Sequence, residues 1–522
     1  MVAIQSLVVS LLLAASTWKT ELCNLSPRLQ KILCPRENAT TVTTPIGVAH
    51  GAADTGATRF AVKYAAAPRW LPPVPATAWE LPNNSTDVTA LPVPCAQLDD
   101  NLNSLGTEDW GATIHGGSFT SGSATAAGLD GSNLAAATNS IVAVIQYRLG
   151  ALGFLDPSGG HNFGVMDVIA AMGFLQAVVP SFGGDGSITI AGQSSGANMV
   201  RALLAIPAAS SLFQSAILHS DPMDYGFLST SVHDQILSTF TGDASCDASD
   251  VACFKTMSLD DIMSAQSNFQ IAVWNNNIPA AAGQFEPIRP VLDGEMIPNP
   301  LDLTASFPSQ SKPIIVSTVR NEAGSTIYQN FLDPISTATY ESVVSFTFDE
   351  PRTSRILATA VYAASPDVNG VDVDQRPILE ELGTDQIWRC ASWTFARNWV
   401  GAGGKAFVGE YKVGATYPGN DAVPFCTAGG SVCHQDDIEI IFGTVPSPTT
   451  AQTALTKEMQ ARYANFMRTG SPNADGFAAW SVAGTDNVNA INLGAPGLAT
   501  VGACNTSYWG NFVQYDYQVF DL

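Results

Sequence analysis

Residues 187–204 read Ser187-Ile-Thr-Ile-Ala191, then Gly192-Gln193-Ser194-Ser195-Gly196, then Ala197-Asn-Met-Val-Arg-Ala-Leu-Leu204. The first five are β-branched and apolar and predict a short buried strand; the last eight form a helix-competent run that ends before Pro207. The pentapeptide between them is G-x-S-x-G. A chain that passes from strand to helix with no loop must bend sharply through strained backbone, and the flanking glycines remove side chains that would collide with neighbouring elements. Standing alone, such a Ser/Gly pentapeptide is more often an ordinary loop. The strand before it and the helix after it make Ser194 a candidate nucleophile.

Upstream, Ile141–Tyr147 is β-branched and apolar, and residues 164–179 follow with helical periodicity. Met166, Ile169, Ala170, Gly173, Phe174 and Ala177 share one face of a 3.6-residue repeat, which predicts that this face packs on a sheet. Pro180 and the pair Gly183-Gly184 stop the helix before the Ser187 strand begins. Alternation of buried strands with helices predicts an α/β chain with a mostly parallel sheet. No internal repeat or low-complexity linker divides the 522 residues. Residues 17–522 are expected to form a single domain with long insertions.

Hydrophobic residues are 46% of the chain and charged residues 13%, enough apolar surface for a sizeable core. A formal net charge of −23 repels phosphate backbones and argues against nucleic acid as a partner. The stretch Val2–Ala15 is apolar, too short to span a bilayer, and followed by small residues. It predicts a secretion signal over 1–16 and a mature chain without an integral membrane segment, although the lack of a leading Lys or Arg leaves a buried N-terminal helix as the alternative.

Asn-x-Ser/Thr tripeptides at Asn24, Asn38, Asn83, Asn84 and Asn505, together with nine cysteines, fit a secreted, oxidised chain. The short spacings Cys246–Cys253, Cys426–Cys433 and Cys23–Cys34 predict local disulfides, and the odd count leaves one thiol over. None of the cysteines has the paired CxxC spacing of a zinc site, so no metal is expected from them.

A serine hydroxyl is a poor nucleophile at neutral pH and needs a base for its proton and donors for the oxyanion that forms. Ile114-His115-Gly116-Gly117-Ser118-Phe119 follows an apolar stretch and offers bare backbone N–H groups at Gly117 and Ser118. A third donor, the N–H of Ser195, lies where the helix after the nucleophile begins, at the positive end of its dipole.

With these pieces in place the sequence resembles the type-B carboxylesterase/lipase family, which includes cholinesterases and secreted fungal esterases and lipases. The likeness runs from Arg59-Phe-Ala-Val-Lys-Tyr-Ala through HGGSF, YRLGALGF, FGGD and GQSSGA to Cys433-His434 and Arg468-Thr-Gly-Ser-Pro-Asn. The resemblance implies an α/β-hydrolase fold. It also matches Glu322, in Asn321-Glu322-Ala323-Gly324 after the strand-like run 313–320, to the family's acid. His434, before the acidic, apolar segment ending at Phe442-Gly443, matches the family's histidine.

The order Ser194…Glu322…His434 is that of an α/β-hydrolase and differs from that of chymotrypsin or subtilisin. The implied reaction is hydrolysis of a small-molecule or lipid ester through an acyl-enzyme, with neither metal nor organic cofactor. Two departures stand out: Ala323 is inserted before the glycine of the acid turn, and Thr107-Glu-Asp-Trp110 runs almost directly into residues 111–115, about twenty residues short of the family pattern and enough for one strand and its turn. That shortening near 107–114 predicts a curtailed or repaired sheet and leaves Cys95 without a partner. A cholinesterase-like binding protein without chemistry and an interfacial lipase remain the competing readings.

Overall fold

The structure is a computed structural model that describes residues 40–97 and 112–509, apart from short breaks at 55, 276, 280–281, 303–307, 309–310 and 349. The expected signal segment, Cys23, Cys34, Asn24, Asn38 and residues 107–111 lie outside the described residues.

Seven strands form the central sheet: β1 (Ala112–Ile114), β2 (Ala143–Ile145), β3 (Thr189–Gln193), β4 (Ser215–His219), β5 (Pro313–Val319), β6 (Lys405–Tyr411) and β7 (Ile491–Leu493). Their spatial order is β7-β6-β5-β4-β3-β1-β2, and every pairing is parallel. Parallel strands need crossovers that cover both faces, so their sequences read as nearly continuous apolar runs. In β5, Ile314 and Val316 enter one core while Ile315 and Val319 enter the other. The same alternation sends Ala406 and Val408 of β6 to the first core and Phe407 and Tyr411 to the second. Each such side chain taken fully out of water contributes roughly 1.5–3 kcal/mol.

The helices that matter for the site are α1 (Phe163–Val178), α2 (Ser195–Ala205), α3 (Thr230–Gly242), α4 (Gly324–Asn330), α5 (Arg376–Gly383), α6 (Cys390–Gly401), α7 (Ile438–Phe442) and α8 (Thr450–Thr469). A π-helical turn over Thr384–Arg389 joins α5 to α6. Helices α1, α2 and α6 pack into the first core, α7 and α8 into the second.

Helix α1 lies where the periodicity placed it, but with a different face inward. Val165, Val168, Ala171, Met172, Phe174 and Val178 are buried, whereas Gly173 and Ala177, expected to face the sheet, are exposed. The helix is apolar on nearly all sides, so hydrophobic spacing does not fix its rotation. Asp167 does: its carboxylate is buried and accepts two 2.7 Å bonds from the Arg148 guanidinium. An acid buried that deeply is tolerated only with such a partner.

The chain leaves β1 for β2 at the sheet edge, then crosses to β3 on the other side of β1. This reversal opens a crevice at the carboxyl ends of β1 and β3, where ligands bind in open α/β sheets. Strand β1, three residues long beside five in β3 and seven in β5, nonetheless pairs with both neighbours.

Candidate active site

The crevice is where β3 ends at Gln193 and α2 begins at Ser195. Ser194 between them has φ 56° and ψ −130°, a conformation that costs a non-glycine residue about 1–3 kcal/mol. Its N–H donates to the His219 carbonyl of β4 (2.9 Å), and its own carbonyl accepts from Ala197 and Asn198 (2.9 and 3.1 Å). The surrounding structure therefore over-determines the strained residue. A Cβ at Gly192 would collide with the backbone of Gly196, and one at Gly196 with the Ile114 carbonyl of β1. Both glycines are needed for close approach.

Strand β1 delivers His115-Gly116-Gly117-Ser118 to the same place. A Cβ on Gly116 would lie 3.1 Å from the Ser194 Cβ, so this loop runs directly beside Ser194. Gly117, Ser118 and Phe119 all have positive φ (104°, 50° and 58°), and the Gly117 carbonyl closes the turn by accepting from Thr120 and Ser121 (2.9 and 3.0 Å). The Phe119 N–H donates to Ser195 Oγ (3.3 Å), tying the loop to the start of α2. Among the described residues, no group accepts the N–H of Gly117, Ser118 or Ser195. His115 itself is fully buried, stacked on Tyr147 with centroids 4.4 Å apart. Burial pushes its imidazole down to about 4, so it is neutral and structural.

His434 and Glu322 come from loops after two other parts of the fold. Glu322, after β5, is wholly buried and accepts from the Val319 N–H (2.8 Å) through Oε1. Its Oε2 lies 2.6 Å from His434 Nδ1. The residues preceding each are stitched together: Asn321 pairs with Cys433 in a parallel bridge, the Asn321 N–H donates to the Val432 carbonyl (2.9 Å), and the Val432 N–H donates to Asn321 Oδ1 (3.2 Å). Asn420 Nδ2 donates to the His434 carbonyl (2.8 Å) and to Asp436 (2.9 Å), whose carboxylate also accepts from the Cys433 N–H (2.7 Å). Inserted Ala323 has negative φ and needs no glycine. Its N–H donates to Thr384 Oγ1 (3.0 Å), which in turn donates to Glu380 (2.8 Å).

Several of these neighbours carry no signal in the sequence. Gln193, fully buried, has its Nε2 3.1 Å from His434 Nε2, while its Oε1 is without a hydrogen-bond partner. With Nδ1–H facing Glu322, Nε2 holds the imidazole lone pair, and the Gln193 amide donates to it. Ser194 Oγ has no hydrogen bond among the described residues. Trp388, from the π-helical turn, stands with its ring centroid 5.4 Å from that of His434, and its buried indole N–H is unpartnered. Glu380 on α5 supports the acid turn from behind, and burial raises its carboxyl to about 7. Only Gln193 was within reach of a sequence argument, because it lies inside the nucleophile motif.

The other expectations resolve as follows. Cys246–Cys253 and Cys426–Cys433 are bonded, the second directly before His434. Cys390–Cys504, 114 residues apart, was not anticipated. Cys95 is free. His219 is buried between Ser317 Oγ (2.7 Å), Tyr463 OH (2.9 Å) and Asp437 (3.3 Å). Asp385 approaches Cys390 and Cys504, whose sulfurs are bonded to each other and offer no thiolate to a metal.

Among solved structures, a thermophilic PNB esterase superposes with a TM-score of 0.69 at 22% identity, covering 87% of this chain and 96% of that one. In sequence, the crystal protein of Dictyostelium discoideum is 28% identical over 371 residues, 69% of this chain and 64% of its own. The cAMP-regulated D2 protein of the same organism is 32% identical over 280 residues, 53% of this chain and 50% of its own. Carboxylesterase 1E of Rattus norvegicus is 28% identical over 388 residues, 70% of this chain and 67% of its own. The chain thus spans about half to two thirds of the length of these relatives. The profile of the carboxylesterase family matches residues 112–508, from the first residue of β1 to a point beyond β7. A match that covers well over half of the chain places it in the carboxylesterase family.

Proposed function

We propose that the protein hydrolyses carboxylic esters through an acyl-enzyme, with Ser194 as nucleophile, His434 as base and Glu322 as orienting acid. The observation that carries this reading is the 2.6 Å His434–Glu322 pair, brought into the crevice where the strained Ser194 sits. Buried Glu322 accepts a hydrogen bond from Nδ1–H of His434 and so presents the Nε2 lone pair toward the serine side. For attack, Ser194 Oγ displaces the Gln193 amide from that lone pair, gives up its proton to Nε2 and bonds to the ester carbonyl carbon.

The N–H groups of Gly117, Ser118 and Ser195, free of other acceptors among the described residues, receive the oxyanion, and the last lies at the N-terminus of α2. The alcohol leaves with the proton from Nε2, and water repeats the sequence on the acyl group. Trp388 beside His434 offers an apolar wall for the acyl or alcohol part.

The test is a p-nitrophenyl ester series of increasing acyl length with fluorophosphonate labelling. Ser194→Ala is expected to abolish labelling and lower kcat by roughly 10⁶-fold, and Glu322→Gln to lower it by about 10⁴-fold. Labelling that survives Ser194→Ala overturns the assignment. A folded, unlabelled wild type identifies a binding protein instead, and turnover confined to long, aggregated esters identifies an interfacial lipase.

A further inference from the structure

His161, His233 and Asp234 gather outside the catalytic crevice, where the Asp156–Asn162 loop meets the first turn of α3. We propose that these three side chains bind a borderline divalent cation of the zinc class as a structural clip between that loop and the helix. Their ligating atoms all lie within 4.8 Å of one another.

The case begins with His233. Its Nε2 lies 2.8 Å from the Phe154 carbonyl, which can only accept, so the proton sits on Nε2 and Nδ1 holds a lone pair. Among the described residues that Nδ1 has no hydrogen-bond partner, in a residue with no exposed surface. Asp234 Oδ1 lies 3.7 Å from it, beyond hydrogen-bond reach. A buried imidazole that hands one nitrogen to a backbone carbonyl and aims the other at a carboxylate it does not bond has the outer-shell arrangement of a metal ligand.

The second imidazole stands edge-on to the first: the His161 and His233 ring centroids are 4.7 Å apart at an interplanar angle of 76°. His161 is held on both sides. Asp156 accepts from the Ser158 N–H (2.9 Å), Ser158 Oγ (2.6 Å) and the Gly160 N–H (3.1 Å), which fixes the loop before it. Buried Asn162, with φ 63°, bonds both ways to the Val291 backbone (2.9 and 2.8 Å) and fixes the chain after it.

The Asp234 side chain is 69% exposed, which gives an ion a path from solvent and leaves a coordination position for water. Two imidazole nitrogens and one carboxylate select zinc and its neighbours over calcium or magnesium, which prefer all-oxygen sites. With metal–ligand distances of about 2.0–2.2 Å, exposed Asp234 and half-buried His161 close the remaining gap by rotating their side chains.

Zinc titration of the purified full chain by calorimetry, paired with thermal melts with and without EDTA, tests the clip. The expected result is one site whose occupancy raises the melting temperature, weakened at least tenfold by His161→Ala and by Asp234→Ala. His50→Ala, an exposed histidine elsewhere, and Ser194→Ala should leave it unchanged. Both ligand variants alter side chains outside the core and are checked for a metal-free melt like that of the wild type. Failure of zinc to bind one-to-one, or binding untouched by either ligand variant, overturns the proposal whatever the outcome of the esterase assay.

Discussion

Under the proposed mechanism, Gln193 and Ser194 compete for the same lone pair on His434. The amide holds it at 3.1 Å, and a neutral hydrogen bond of this kind is worth about 0.5–1.5 kcal/mol net. Gln193→Ala is therefore expected to raise the second-order rate of fluorophosphonate labelling by up to about tenfold, measured by stopped-time labelling of the folded variant. An unchanged or slower rate would mean that the amide positions the imidazole and does not restrain it. The Ser194 bend, its glycines and the His115–Phe119 loop were legible in the sequence because each demands unusual backbone, and unusual backbone restricts residue type. The amide contact was not, because a glutamine rotamer is decided by neighbours that the motif does not contain. Glu322 and His434 were found through resemblance; nothing in their local chemistry separates them from an ordinary buried acid and an ordinary loop histidine.

The helices tell a similar story at larger size. Strand and helix order could be read from periodicity, yet the rotation of α1 could not, since its apolar residues run nearly all round and Asp167 settles the matter through Arg148, nineteen positions back. Helix α5 and the π-helical turn were equally silent, although together they support the acid turn through Glu380 and Thr384. Glu380 makes this element sensitive to pH. Its carboxyl rises from an ordinary 4.5 to about 7 through burial, so between those values the folded state binds more protons than the unfolded one and stability falls as pH increases. The wild type is expected to lose about 3 kcal/mol relative to Glu380→Gln between pH 4.5 and 7, read from urea unfolding at each pH. A pH-independent difference would remove Glu380 from this role. The subtraction is necessary because His115 works in the opposite direction: its depressed imidazole makes stability fall as pH drops from 6.5 toward 4.

For the molecule as a whole, seven parallel strands are joined by long crossovers, and almost every sheet contact links residues distant in sequence. Such a topology gains from a covalent tie. Cys390–Cys504 closes a span of 114 residues that carries α6, β6, the His434 loop, α8 and β7. Its removal by Cys390→Ser with Cys504→Ser is expected to cost about 4–5 kcal/mol, seen as a lower denaturation midpoint with unchanged folded-state circular dichroism. No change in midpoint would refute that estimate. The pairing escaped the sequence because cysteines so far apart leave no spacing to read. The stitching of Asn321 to Cys433 carries a different consequence, for the newly made chain. Under the proposed assignment, the serine emerges from the ribosome some 240 residues ahead of its base (434 − 194). On that assignment the acid at 322 acquires its partner only when the 432–434 segment docks, so a half-synthesised chain would be harmless to the esters around it, and hydrolytic competence would switch on late, as a signal that the final third has come home.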